Sequence, residues 1–221
     1  DCRGRQDGKH QKGWLIMLRS EIGAHKVVGY FHAPYYSMRD PRNAGIRFIN
    51  VLKNDFGEMS AMVPAGEESL KRVLAEDFAR IVQMHGRLTV VGIPRSKREA
   101  SYPAAKMGLK RGIRAVAQQN SMLVDGLDYI VRHTDTCTTH WAKYGKGGAG
   151  KLPYPGITKD TCRLSPEIAG KDILLVDDIY TPTCGIDEDA IQALFDMGAK
   201  SVVFYAVGYT VGRTGGYRLC A

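Results

Sequence analysis

The chain has 221 residues, 44% hydrophobic and 24% charged, with a net charge of +8. This composition excludes a fibrous or wholly disordered polypeptide and supplies enough apolar material for a sizeable core. No apolar run approaches the ~18 residues needed to cross a bilayer, so no membrane partner is expected. The opening residues are polar and carry no signal-type apolar stretch. Five scattered cysteines (Cys2, Cys137, Cys162, Cys184 and Cys220) suggest reduced thiols. Together these features predict a cytoplasmic protein. The positive charge points to an anionic partner, either a polyphosphate substrate or a nucleic acid.

Residues 1–13 are short of apolar side chains and predict a disordered tail; residues 14–221 predict one α/β domain. Within 14–34, Trp14–Leu18 and Val27–His32 read as strands joined by a turn at Gly23. This hairpin has two readings, a sheet edge or a small hood over an active site. Tyr35, Tyr36, Arg39, Asp40, Pro41, Arg42 and Asn43 form a polar, aromatic bend. Ile46–Leu52 predicts a helix ending at Lys53, and Phe56–Gly66 a loop. Glu67–His85 carries the clearest helical stripe: Leu70, Val73, Leu74, Phe78, Ile81 and Val82.

Leu88–Ile93 reads as a buried strand. It runs into Pro94, Arg95, Ser96, Lys97 and Arg98. Basic side chains, a hydroxyl and free backbone amides after a parallel strand suit a pyrophosphate. Pro103–Gln119 predicts a helix loosened by Gly108 and Gly112. From Arg95 to Arg114 there are seven basic residues and one acid, Glu99. That density fits a polyanionic small ligand and also a nucleic-acid face. Leu127–Val131 reads as a further strand.

The stretch 132–140 is dense in hydroxyls. His133, Cys137 and His140 offer three zinc ligands with no evident fourth, one short of a structural site. The Gly- and Lys-rich segment that follows predicts a flexible loop over 138–156. Lys143, Lys146 and Lys151 would let it close over an anionic leaving group and exclude water.

Ile173–Val176 is a short apolar run of the kind buried on both faces of a sheet. It ends in Asp177 and Asp178. Ile179–Gly185 has the composition of a tight loop. Ile186, Ala190, Ile191, Leu194 and Phe195 recur at helical spacing, with a stop at Gly198. Ser201–Tyr209 completes a βαβ unit. The expected fold is therefore a twisted parallel sheet flanked by helices, with the N-terminal hairpin added. Two acids at a strand end suit a ligand bearing hydroxyls and a hard cation, such as a phosphorylated sugar with Mg²⁺.

The sequence LLVDDIYTPTCGI resembles the signature of type I phosphoribosyltransferases. The resemblance implies that Asp177 and Asp178 contact the ribose hydroxyls of 5-phosphoribosyl-1-diphosphate (PRPP). They would also hold Mg²⁺, directly or through PRPP or water. It implies that Tyr180, Thr181, Pro182, Thr183, Cys184 and Gly185 form the 5′-phosphate loop. The usual loop reads Thr-Thr-Gly-Ala-Thr; here Pro182, Thr183, Cys184 and Gly185 stand at its last four positions. Pro182 removes an N–H, and Thr183 adds a Cβ where backbone approaches phosphate. Across 35–209 the layout resembles the ComF-like, competence-associated subgroup, without that group's Cys-rich N-terminal element.

What this implies is a PRPP-dependent transferase that displaces pyrophosphate from the ribose C1, with an unknown and most simply nitrogenous acceptor. The pyrophosphate would be held by the Pro94, Arg95, Ser96 and Lys97 loop, with Arg95 and Lys143 countering its developing charge. Enzymes acting on 6-oxopurines carry an Asp three residues after the second acid; Thr181 stands there, which disfavours such an acceptor. Tyr209, Tyr30 and Phe31 are candidates to stack on an acceptor ring. Two other readings stand beside this one: a PRPP-binding regulatory protein with weakened turnover, and a nucleic-acid-associated protein using the basic region Arg95–Arg114. A homodimer is compatible with each.

Overall fold

The computed structural model describes residues 16–36, 40–53, 62–136, 156–182 and 185–211. The expected tail 1–13 and Lys143, Lys146, Lys151, Cys137, His140, Thr183 and Cys184 lie outside them.

Strand β1 (Ile16–Ile22) turns at Gly23, whose φ of 57° suits a residue without a Cβ. It pairs antiparallel with β2 (His25–Tyr35). A short helix α1 (Phe48–Lys53) and the long α2 (Val63–His85) lead to β3 (Leu88–Gly92). Helix α3 (Gly108–Gln119) connects to β4 (Leu123–Asp125). Strands β5 (Ile130–Arg132) and β6 (Cys162–Leu164) form a separate antiparallel pair. Then come β7 (Asp172–Tyr180), α4 (Ile186–Asp196) and β8 (Ser201–Thr210).

The main sheet has six strands in the order β1-β2-β8-β7-β3-β4. Every pair but β1–β2 is parallel. The fold is α/β, with the predicted parallel sheet, flanking helices and N-terminal hairpin. Of the two readings of that hairpin, the sheet-edge one is realised: β2 lies in the plane of the sheet and pairs with β8 from Val28 to Tyr35.

Two apolar cores sandwich the sheet. Leu70, Leu74, Phe78 and Ile81 of α2 pack with Ile113 of α3 on one face, against Val90, Leu174, Val203 and Tyr205. On the other, Ala190, Ile191 and Leu194 of α4 pack with Ile130 and Ile168 against Val91, Ile173, Leu175 and Phe204. Both faces of the central strands are covered, which is why they read as unbroken apolar runs.

Side-chain alternation slips at one row of the sheet. On β8, Val203, Tyr205 and Val207 face the α2 core, and a strict period of two would put Tyr209 there too; it packs on the α4 side. On β7, Ile179 lies on the α2 side and Tyr180 on the α4 side, again out of phase with Leu174 and Val176. Ile179 and Gly208 are register partners, so both strands slip together.

Four expectations are corrected. The acid-pair strand continues to Tyr180, so Ile179 and Tyr180 are strand rather than loop. Helix α2 starts at Val63, inside the expected loop, because Pro64 fits a first helical turn whose N–H groups have no intrahelical acceptor. The strand expected at Leu127–Val131 is instead the end of a loop followed by β5, and the sheet edge is β4. Tyr30, Phe31 and Tyr209, considered for stacking on a ligand ring, are 4%, 1% and 3% exposed and belong to the cores.

Candidate active site

Parallel strands bring their carboxyl ends to one edge. Here β3 and β7 are neighbours, with Gly92 beside Val176 and the Ile93 N–H donating to the Val176 carbonyl at 3.0 Å. From β3 the chain moves outward to β4, whereas from β7 it moves the opposite way to β8. The crevice between β3 and β7 is therefore a topological switch point, the usual ligand position in such sheets. The 94–98 loop and the pair Asp177 and Asp178 flank it.

The 94–98 loop is clamped by the segment after β5. Arg132, buried, donates from Nε to the Arg95 carbonyl at 2.7 Å. The Ser96 carbonyl accepts from the Thr136 N–H at 2.8 Å and its hydroxyl at 3.0 Å. Arg95 lies over the Tyr102 ring, 4.5 Å from its centroid, and donates to the Lys106 carbonyl at 3.2 Å. The Tyr102 hydroxyl lies 3.5 Å from the Ser96 hydroxyl. Lys97 Nζ donates to the Thr136 carbonyl at 2.7 Å.

Much of the basic region is neutralised by acids distant in sequence. Arg98 pairs with Asp135 at 3.1 Å, and Lys110 with Glu99 at 2.5 Å and Asp128 at 2.6 Å. Arg114 pairs with Asp125 and Asp128, both at 2.7 Å, and Arg111 with Glu67. Backbone and side-chain contacts from Arg98 hold the Asp135 carboxyl below its ordinary range. Four of the seven cations counted between Arg95 and Arg114 are thus committed within the protein.

The acid-pair side is more crowded than its sequence implied. Asp178 Oδ1 accepts from the Ile179 N–H at 2.6 Å. Thr181 and Thr210 hydroxyls meet at 2.8 Å, tying the loop to the end of β8. Gly185 precedes α4 with φ 71°, a left-handed conformation that explains glycine there. The first turn of α4 then carries Asp187, Glu188 and Asp189. Acids are favourable at a helix N-terminus, but these turn to separate tasks. Asp187 is 3% exposed and hydrogen-bonded to Asp177. Burial, with the charges of Asp177, Glu188 and Asp178, pushes its carboxyl well above the ordinary range. Glu188 Oε1 accepts from the Tyr180 hydroxyl at 2.6 Å, and burial and that partner raise the phenol. Asp189 lies against Gly156, where an added Cβ would come within 2.6 Å of its Oδ2.

No family model matches this sequence, and no curated protein does. Among solved structures, the chain is similar to a hypoxanthine phosphoribosyltransferase from Staphylococcus aureus. The two share 17% identity over 70% of this chain and 83% of that one, with a TM-score of 0.35. At that distance, the neighbour's activity is a property of the neighbour.

Of the sequence-predicted residues, Asp177, Asp178, Thr181, Pro182 and Gly185 lie at the end of β7, and Pro94, Arg95, Ser96 and Lys97 at the adjoining end of β3. Tyr180, expected in the phosphate loop, is a strand residue whose ring packs on Phe31, Phe204 and Tyr209. Sequence reasoning missed Asp187 as a site residue. An acid one position into a helix reads as a dipole partner, and only the fold brings it onto Asp177. It also missed Arg132 and Thr136 as the clamp on the 94–98 loop.

Among the described residues, no group of three or more His, Cys, Asp or Glu is placed to hold a metal by itself. The donors that are present, two part-exposed carboxylates at a strand end, fit a hard cation only if the ligand supplies further oxygens, the usual situation for Mg²⁺. Among the described residues, no helix is long and apolar enough to cross a membrane.

Proposed function

We propose that the chain binds PRPP with Mg²⁺ at the crevice between β3 and β7 and transfers the phosphoribosyl group to a nitrogen nucleophile, releasing pyrophosphate. The observation that carries this reading is the acid pair Asp177 and Asp178 standing across the switch point from the Arg95–Lys97 loop. One end of the crevice is acidic and suits hydroxyls; the other is basic and suits a diphosphate.

Asp177 and Asp178 accept hydrogen bonds from the ribose hydroxyls and counter the positive charge that develops on the ring as the C1–oxygen bond breaks. They are also the residues that would hold Mg²⁺ together with substrate oxygens. Held there, Mg²⁺ would supply neutralisation of the diphosphate charge. Arg95 and Lys97 exchange their contacts with the Lys106 and Thr136 carbonyls for diphosphate oxygens. Backbone N–H groups of the 181–185 loop, Pro182 excepted, receive the 5′-phosphate, and Lys143 would counter charge on the diphosphate. Thr181, in place of the acid that serves 6-oxopurines, points away from hypoxanthine or guanine as acceptor. The ComF-like assignment rests on the layout of the sequence alone.

A second reading keeps the ligand and weakens the chemistry. Pro182 withholds an amide from the phosphate loop, and three acidic residues crowd the first turn of α4 next to it. This favours a PRPP-binding protein with slow turnover. The nucleic-acid reading draws less support, because Arg98, Lys110, Arg111 and Arg114 are already paired.

Calorimetry with PRPP and Mg²⁺ tests the ligand. Saturable binding that is lost in Asp177→Asn/Asp178→Asn is expected. No binding at millimolar PRPP removes both the enzyme and the regulatory reading.

A further inference from the structure

A second feature of the fold adjoins the acid pair through Asp187. Between β2 and α4 lies a half-open cavity of about 40 Å³. One water occupies roughly 10–15 Å³ on this measure, so the space suits a group of a few heavy atoms. Its walls include the rings of Phe31, Tyr180 and Phe204, and its floor is opened by Gly29. Asp187 and Glu188 line the same space. Asp187 is 3% exposed, and its Oδ1 has no hydrogen-bond partner among the described residues. Glu188 Oε2 is likewise buried without one, although its Oε1 is held by Tyr180.

Two buried acceptor oxygens without donors are costly, each on the order of 1–3 kcal/mol. A fold that leaves both on one aromatic-walled cavity is complementary to a ligand that brings N–H donors and a positive charge. Aromatic faces attract such cations, and carboxyl oxygens accept from them. We propose that this cavity binds a small organic cation of the guanidinium or primary-ammonium class. Its donors meet Asp187 Oδ1 and Glu188 Oε2, and its body lies against the part-exposed Tyr180 ring, which Phe31 and Phe204 back. Because Asp187 also touches Asp177, an occupant here sits one residue from the acid pair.

The test is an NMR titration of the full chain with methylguanidinium, run without PRPP or Mg²⁺ so that it stands apart from the phosphoribosyl reading. Saturable shifts centred on the amides of Gly29, Phe31 and Tyr180 are expected, with none from acetate at equal concentration. Gly29→Ala narrows the cavity at little structural cost, since its new Cβ would meet Phe204 Cδ1 at 3.5 Å, an ordinary contact. That variant and Glu188→Gln, which removes the negative charge from the cavity wall, should each weaken methylguanidinium at least tenfold. Shifts that do not saturate, equal response to acetate, or unchanged affinity in a folded Gly29→Ala protein would overturn the proposal.

Discussion

Asp187, in the first turn of α4, is hydrogen-bonded to Asp177, the first of the two acids that end β7. One of the two carboxyls carries the proton of that bond, and burial makes Asp187 the one that resists ionising. A carboxyl whose folded value is raised above its unfolded one stabilises the fold fully below the unfolded value. It loses that contribution as pH rises through the folded one. The ligand-free protein should therefore lose stability from about pH 4 upward at this residue. Asp187→Asn should flatten that slope in denaturant melts across the pH range; an unchanged slope would show that Asp187 ionises freely.

The buried pair on the opposite face predicts a stability effect. Tyr205, fully buried on β8, donates to Asp77 Oδ2 at 2.7 Å, and His32 Nδ1 lies 2.9 Å from the same oxygen. Asp77 is itself 0% exposed. Tyr205→Phe keeps the ring and removes the donor, which should cost about 1–3 kcal/mol in chemical denaturation. A loss under about 0.5 kcal/mol would mean that His32 alone satisfies Asp77 Oδ2.

Phe78 on α2 meets the Tyr205 ring edge-on at 5.4 Å and is completely buried. Phe78→Ala should cost about 3–5 kcal/mol, and equilibrium unfolding measures it directly. A cost near 1 kcal/mol would indicate that α2 shifts to refill the space.

The proposed phosphate loop gives a prediction that the sequence alone would have drawn differently. Matching the type I phosphoribosyltransferase signature suggests changing Pro182, Thr183 and Gly185 together. Gly185, however, has φ 71°, and a β-branched residue there is strained by about 1–2 kcal/mol. Pro182→Thr/Thr183→Gly should raise PRPP affinity, whereas adding Gly185→Thr should lower stability. Calorimetry and thermal melts on the two variants separate these effects. Equal affinity of wild type and the double variant would remove the loop as the weak point.

Much of the fold was readable because it rests on local periodicity. The apolar runs of β3, β7 and β8 and the stripe of α2 each buried the faces that the pattern predicted. What could not be read depends on distance. The basic stretch looked uncompensated because Asp125, Asp128, Asp135 and Glu67 lie outside it in sequence, yet the β4 and β5 segments and α2 bring them within reach. Tyr180 was misread because Asp177 and Asp178 interrupt the apolar run, so the strand reads as ending before Ile179, whereas β7 continues to Tyr180. Asp187 carried only a helix-start signal, and its burial on Asp177 follows from the β7–α4 turn.

The central claim is that the crevice between β3 and β7 holds PRPP, and a crystal structure of the protein with Mg²⁺ and PRPP tests it most directly. The account predicts the ribose hydroxyls on Asp177 and Asp178, the diphosphate on the Arg95–Lys97 loop and the 5′-phosphate against the 181–185 loop. PRPP bound elsewhere, or an empty crevice in crystals soaked at millimolar ligand, would contradict it.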